Sequence, residues 1–119
     1  MIAHIVLFEP RPDLTDSERQ SLVDGLRAAA RQIPGVRRLR VGRRLRHGGA
    51  GYEQAMRDDY SFATIIEFDT MADLRGYLAH PAHEQIGRHF SESSVRALAY
   101  DYDLVDAVDA DRLLSTPRP

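Results

Sequence analysis

Hydrophobic positions change period along this chain, and each change marks an element. Met1 to Phe8 (MIAHIVLF) is an apolar, β-branched run closed by Pro10 and Pro12, and it reads as a strand. Thr15 with Glu18 three residues later forms a capping box. Leu22, Val23, Leu26, Ala29, Ala30 and Ile33 follow at helical spacing until Pro34-Gly35, which predicts a helix over about Asp16 to Gln32. Val36 to Arg46 alternates Leu39 and Val41 with arginines and reads as a second strand. The glycine-containing polar stretch from His47 to Asp59 predicts a long, mobile loop. Tyr60 to Phe68 is the clearest strand, with Tyr60, Phe62, Thr64, Ile66 and Phe68 on one face. Thr70 opens a helix through Leu74, Tyr77 and Leu78. Pro81 interrupts it, and a second short helix carries His83, Ile86, Gly87 and Phe90. Arg96 to Val105 closes the series as a strand with Leu98, Tyr100, Tyr102 and Leu104 opposite Asp101 and Asp103. The acidic tail after Asp106 reads as weakly ordered or as a short helix near Asp109 to Leu114.

The order β-α-β-β-α-β defines an α+β protomer of the ferredoxin-like type, with one domain over residues 1–106 and a tail over 107–119. In that architecture the helices cover one face of a four-stranded sheet. Yet Ile2, Val6 and Phe8 alternate with Ala3, Ile5 and Leu7, and Ile65 opposes Ile66, so both sheet faces are apolar. A second copy packed sheet to sheet is the simplest cover, which makes a homodimer the expected assembly.

Composition narrows the chemistry. The 119 residues carry a net charge of −2, so no global field draws nucleic acid or an anionic membrane. Arg37, Arg38, Arg40, Arg43, Arg44 and Arg46 cluster without interleaved aromatics and read as a solvated face paired with Asp58 and Asp59. All basic side chains other than histidine are arginine, which excludes a lysine Schiff base. The absence of cysteine excludes thiolate catalysis, disulfides and thiolate metal sites. Gly48-Gly49-Ala50-Gly51 lacks the spacing and the Lys-Ser/Thr of a phosphate loop. No metal-ligand spacing is evident, and no cofactor is expected. With no apolar run of membrane-spanning length and no signal-peptide pattern, the expected location is the cytoplasm.

His4-Ile-Val-Leu-Phe8, Ile33-Pro-Gly-Val36, the strand near Tyr60 to Phe68 and, above all, Tyr77-Leu-Ala-His-Pro-Ala-His83 resemble the stress-responsive dimeric A/B-barrel (Dabb) family over about Met1 to Tyr102. The resemblance implies a dimeric α/β barrel and a cavity between sheet and helices. Within the family the motif is similar to that of olivetolic acid cyclase-type proteins, which close a linear polyketide by aldol condensation. Carried over by position, it implies catalytic roles for Tyr77 and His83 and a pocket position for His4. It also places Phe62 where such a cyclase has a histidine, which makes the pocket more apolar at that point.

These residue types suit the task. Imidazole removes a proton α to a carbonyl near neutral pH, and a phenol donates to the developing enolate oxygen. The expected ligand is therefore a small hydrophobic carbonyl compound, bound by His4, Phe62 and His80 and worked on by His83 and Tyr77. Packing explains the same residues in another way. His83 shares a helix face with Ile86 and Phe90, and His80 before Pro81 suits a turn or a cap. His47 and His89 read as solvent-exposed. Two other functions stay open: a non-catalytic stress-response dimer, and a cofactor-free monooxygenase with the same dimeric barrel shape.

Overall fold

The computed structural model describes residues 1–51 and 53–115. The main elements run β1 (Ile2–Pro10), α1 (Asp16–Gln32), β2 (Arg38–Arg43), β3 (Phe62–Phe68), α2 (Met71–Ala79), α3 (Pro81–Ser93), β4 (Ser94–Asp103) and a four-residue α4 (Asp111–Leu114). Short 3-10 turns lie at Glu53–Ala55 and Ala107–Asp109. The strands form one antiparallel sheet in the order β2-β3-β1-β4. This is the ferredoxin-like α+β arrangement that the hydrophobic pattern predicts.

Local chemistry sets the boundaries. Thr15 Oγ1 accepts from the Glu18 N–H at 3.1 Å, and Glu18 Oε1 accepts from the Thr15 N–H at 3.2 Å, so the capping box forms in full. Helix α1 ends at Ile33 because Pro34 follows and Gly35 turns the chain with φ 88°. Thr70 Oγ1 caps α2 through the Asp73 N–H at 3.1 Å. The break between α2 and α3 falls at His80, whose extended backbone (ψ 139°) is the conformation a residue before proline prefers. Pro81 then occupies the first turn of α3, where its missing N–H costs nothing.

Strand alternation sorts the side chains. His4 pairs with Ile66 and Asp101, which places Ile2, His4, Val6 and Phe8 on the same face as Phe62, Thr64, Ile66 and Phe68. Helices α1, α2 and α3 cover that face. The core comprises Phe8, Leu26, Ala29, Ile33, Ile66, Phe68, Leu74, Tyr77, Ile86 and Phe90. The opposite face presents Ile5, Leu7, Ile65, Leu98, Tyr100 and Tyr102. No helix layer lies over it: the molecule is only 22 Å deep along its shortest axis, the depth of one sheet and one helix layer.

Two segments differ from the sequence expectation. Strand β2 is shorter than the run from Val36 to Arg46, because its ladder with β3 ends at Arg43 opposite Phe62. The stretch after it is tied down at several points. Glu53 Oε1 accepts from the His47 and Gly48 N–H groups at 2.5 and 3.1 Å. Asp59 takes Arg44 and Arg46 at 2.5 and 2.6 Å. Elsewhere in the arginine cluster, Arg37 pairs with Asp69 and Arg40 with Glu67.

Candidate functional site

Three elements bring ionisable rings together on the covered face of the sheet. β1 contributes His4, the second turn of α2 contributes Tyr77, and the first turn of α3 contributes His83. Ring centroids lie 5.6 Å apart for His4 and Tyr77, 4.7 Å for Tyr77 and His83, and 6.2 Å for His4 and His83. The proline break makes this possible. Six residues along an unbroken helix would place Tyr77 and His83 on different faces, and the turn at His80 returns the chain so that the two rings meet.

The surroundings fix the state of each group. Tyr77 is buried against Phe68, with ring centroids 5.3 Å apart, and burial pushes its phenol up to about 12. It stays a neutral donor across the physiological range. His83 is half-buried, and burial holds its pKa below the ordinary imidazole value. The hydrogen bond to the Leu78 carbonyl opposes that shift, and nearby His4 adds to it. That bond, Nδ1 to the Leu78 oxygen at 3.1 Å, fixes the tautomer: Nδ1 carries the proton and Nε2 keeps its lone pair. His4 is 6% exposed, and its Nδ1 donates to Asp101 Oδ1 at 2.5 Å, which again leaves Nε2 as the basic atom.

Asp101 is the member that sequence reasoning placed on the correct strand face without assigning it a role. It sits directly opposite His4 in the β1–β4 ladder. Asp103 shares that face of β4, so register decides: Asp101 falls opposite His4, the only residue of β1 on that face with a polar side chain, and Asp103 falls opposite Ile2.

The remaining candidates fall elsewhere. His80 Nδ1 accepts from the Ala82 N–H at 3.1 Å, so His80 caps α3 at the edge of the cluster. Its tautomer is the reverse of that in the other two, with the proton on Nε2. Phe62 pairs with Phe8, four residues along β1 from His4, or about 13 Å at the usual strand rise. It stacks on Phe8 at 5.7 Å and lines a separate apolar cavity of about 180 Å³ with Leu14, Leu22, Leu26 and Phe90. No group of three or more potential ligating side chains that could hold a metal ion occurs among the described residues.

A four-stranded antiparallel sheet, helices on one face only and a ring cluster at a helix break together define a ferredoxin-like protein of the A/B-barrel class. The family model for the stress responsive A/B barrel domain matches residues 2–104, and the chain belongs to that family. Solved structures share the fold. A dimeric ferredoxin-like protein from Thermobifida fusca is 23% identical, with a TM-score of 0.66, over 87% of this chain and 90% of that one. An Arabidopsis thaliana protein is 19% identical, with a TM-score of 0.72, over 90% and 98% of the two chains. Hydroxynitrile lyase from Passiflora edulis is 16% identical, with a TM-score of 0.72, over 89% and 94%. No curated protein sequence matches. No helix among the described residues is long and apolar enough to cross a membrane.

Proposed function

We propose that the protein is a homodimer that holds a small apolar carbonyl compound beside Tyr77 and His83 and moves a proton at the carbon next to the carbonyl. The observation that carries this reading is the convergence of three ionisable rings, two of them histidines whose Nδ1 is engaged by an oxygen acceptor, on a face that is mostly apolar. Buried titratable groups are costly to keep without a task. In the proposed step His83 Nε2 takes the proton from the α-carbon. The electron pair moves into the carbonyl, and the Tyr77 hydroxyl donates to the resulting enolate oxygen. Depression of the His83 pKa keeps that nitrogen unprotonated at neutral pH. Asp101 holds the His4 ring through Nδ1, so His4 serves as a second proton acceptor or as a positioner. A polyketide cyclisation of the aldol type is one reaction that begins with this step.

The same side chains support a second reading, a dimer without catalysis. His80 and His83 both spend one nitrogen on backbone groups of the helix break, as structural histidines do. Titrating 2-heptanone into the protein and following the five histidine Cε1–H signals by NMR separates the two. Binding at the site moves the His4 and His83 signals and leaves His47 and His89 still. Equal small drifts of all five signals show that the cluster is only packing.

The homodimer rests on the uncovered sheet face. Tyr100 and Tyr102 there are 57% and 49% exposed, alongside the half-buried Ile5, Leu7, Ile65 and Leu98. A contiguous apolar surface of this kind marks an interface. The Thermobifida fusca relative is itself dimeric. Sedimentation at micromolar concentration tests the claim, and a monomer there refutes it.

A further inference from the structure

The C-terminal segment and the β2 edge of the sheet have complementary character, and each leaves apolar side chains exposed within one chain. After β4 the chain runs Asp103-Leu-Val-Asp-Ala-Val-Asp-Ala-Asp-Arg-Leu-Leu114, with four carboxylates against one guanidinium. The family match ends at residue 104, so all but the first two residues of this stretch lie beyond the shared domain. Leu113 turns back toward Met1 and Leu104 across a cleft, whereas Val108 and Leu114 are 87% and 85% exposed. Apolar side chains so placed on a helical, acidic segment form a surface that awaits a cover.

The opposite edge of the sheet offers the counterpart. Two adjoining apolar cavities of about 180 and 370 Å³ share Val23, Leu26 and Val41 on their walls and form a furrow between α1 and β2. Val41 is 54% exposed on this edge strand and Val23 is 40% exposed on the helix above it. Arg19 lines one cavity and Arg27 the other. Arg43, on the same face of β2 as Leu39 and Val41, forms no ion pair among the described residues, unlike Arg37, Arg40, Arg44 and Arg46. The furrow is thus apolar at its floor and basic at its rim.

We infer that the C-terminal segment of one copy docks in the α1–β2 furrow of a second copy, with Val108 and Leu114 on Val23 and Val41 and the aspartates against the arginine rim. The occupant comes from another copy because of the strand order. β4 and β2 are opposite edges of β2-β3-β1-β4, three interstrand spacings or about 14 Å apart, and the segment leaves from the β4 edge. Packing two sheets face to face about a two-fold axis along the strands lays the β4 edge of one copy over the β2 edge of the other. Each segment then starts beside its partner's furrow, and the exchange occurs twice per dimer. This inference rests on the sheet-to-sheet dimer proposed above, adds a second contact to it, and assigns Phe62 and its cavity to assembly.

The chain has no cysteine, so single introduced thiols report the contact directly. V108C and V41C proteins, mixed, allowed to exchange subunits and oxidised, should yield a cross-linked tryptic peptide pair joining positions 108 and 41. Only 108–108 or 41–41 links, or none, overturn the inference. In the full chain, V108D/L114D should weaken dimerisation at least tenfold in sedimentation at low salt without unfolding the protein, because both side chains pack on nothing in their own protomer. A dimer as tight as wild type overturns the exchange and leaves the sheet interface standing. A monomeric wild type overturns the sheet-to-sheet dimer itself.

Discussion

Replacing Gly35 with alanine tests how the α1–β2 turn anchors the helix that carries Tyr77. Gly35 has φ 88°, a conformation that costs an L-residue about 1–2 kcal/mol. A methyl group built there lies 2.8 Å from Asp73 Oδ1 and 2.9 Å from both Asp73 Cβ and Cγ. The near atoms include the stem of the side chain, so Asp73 cannot swing clear, and the first turn of α2 must shift. Overpacking of this kind costs about 1–3 kcal/mol. Together the two effects predict a loss of about 2–5 kcal/mol, and a fall in Tm on the order of 10 °C for a domain of this size. Urea denaturation gives the difference, and G48A is the control. Gly48 also has positive φ (74°), but nothing lies within 4 Å of a methyl group there, so only the backbone cost applies. Adding D73A to G35A should recover about 1 kcal/mol by removing Cγ and the carboxylate oxygens. If G35A costs no more than G48A, the argument that Gly35 is required by close approach to α2 is wrong.

Three further outcomes follow from the same geometry. His83 has a pKa below its unfolded value, so the unfolded chain binds more protons than the folded one between the two values. Wild type should therefore lose stability as pH falls below about 6.5, until the folded-state pKa is passed, and H83Q should flatten that part of a urea-denaturation pH series. D101A leaves the His4 Nδ1–H without its acceptor at a 6% exposed residue and should cost about 1–3 kcal/mol by thermal melting, nearer the low end because the carboxylate side is open to water; D101N should recover most of it. T15A removes the capping box of α1 and should cost about 1 kcal/mol by urea denaturation, with Thr15→Ser restoring it.

The fold was legible because its period changes coincide with unambiguous punctuation. Thr15 to Glu18 and Pro34-Gly35 bracket α1 at the observed boundaries, and the Pro81 break falls where two helices meet. Less was legible where tertiary contacts decide. The loop after β2 is tethered by Glu53 accepting from two backbone N–H groups, which no local pattern announces, whereas the pairing of the arginine cluster with Asp59 was legible from the acids that follow it. In the candidate site, residue types and the motif pointed to Tyr77, His80, His83 and His4, but spacing could not show that rings six residues apart across a proline would meet. Partner choice was equally hidden. His80 is occupied by the Ala82 N–H and His4 by Asp101 from a strand 97 positions away, a register that only the assembled sheet sets. Phe62 shares the covered face with His4, and the distance along the strand separates them.

The proton-transfer reading is tested most directly by hydrogen exchange at the α-carbons of 2-heptanone in deuterated buffer, followed by NMR with the protein at catalytic concentration. Wild type should accelerate exchange over buffer, with a rate that rises with pH and levels off below about pH 6.5, where His83 becomes unprotonated. H83Q and Y77F should each lower the protein-dependent rate by about a hundredfold, and H80Q should retain it. A rate in H83Q and Y77F equal to that of wild type, or no acceleration by wild type at all, contradicts the account.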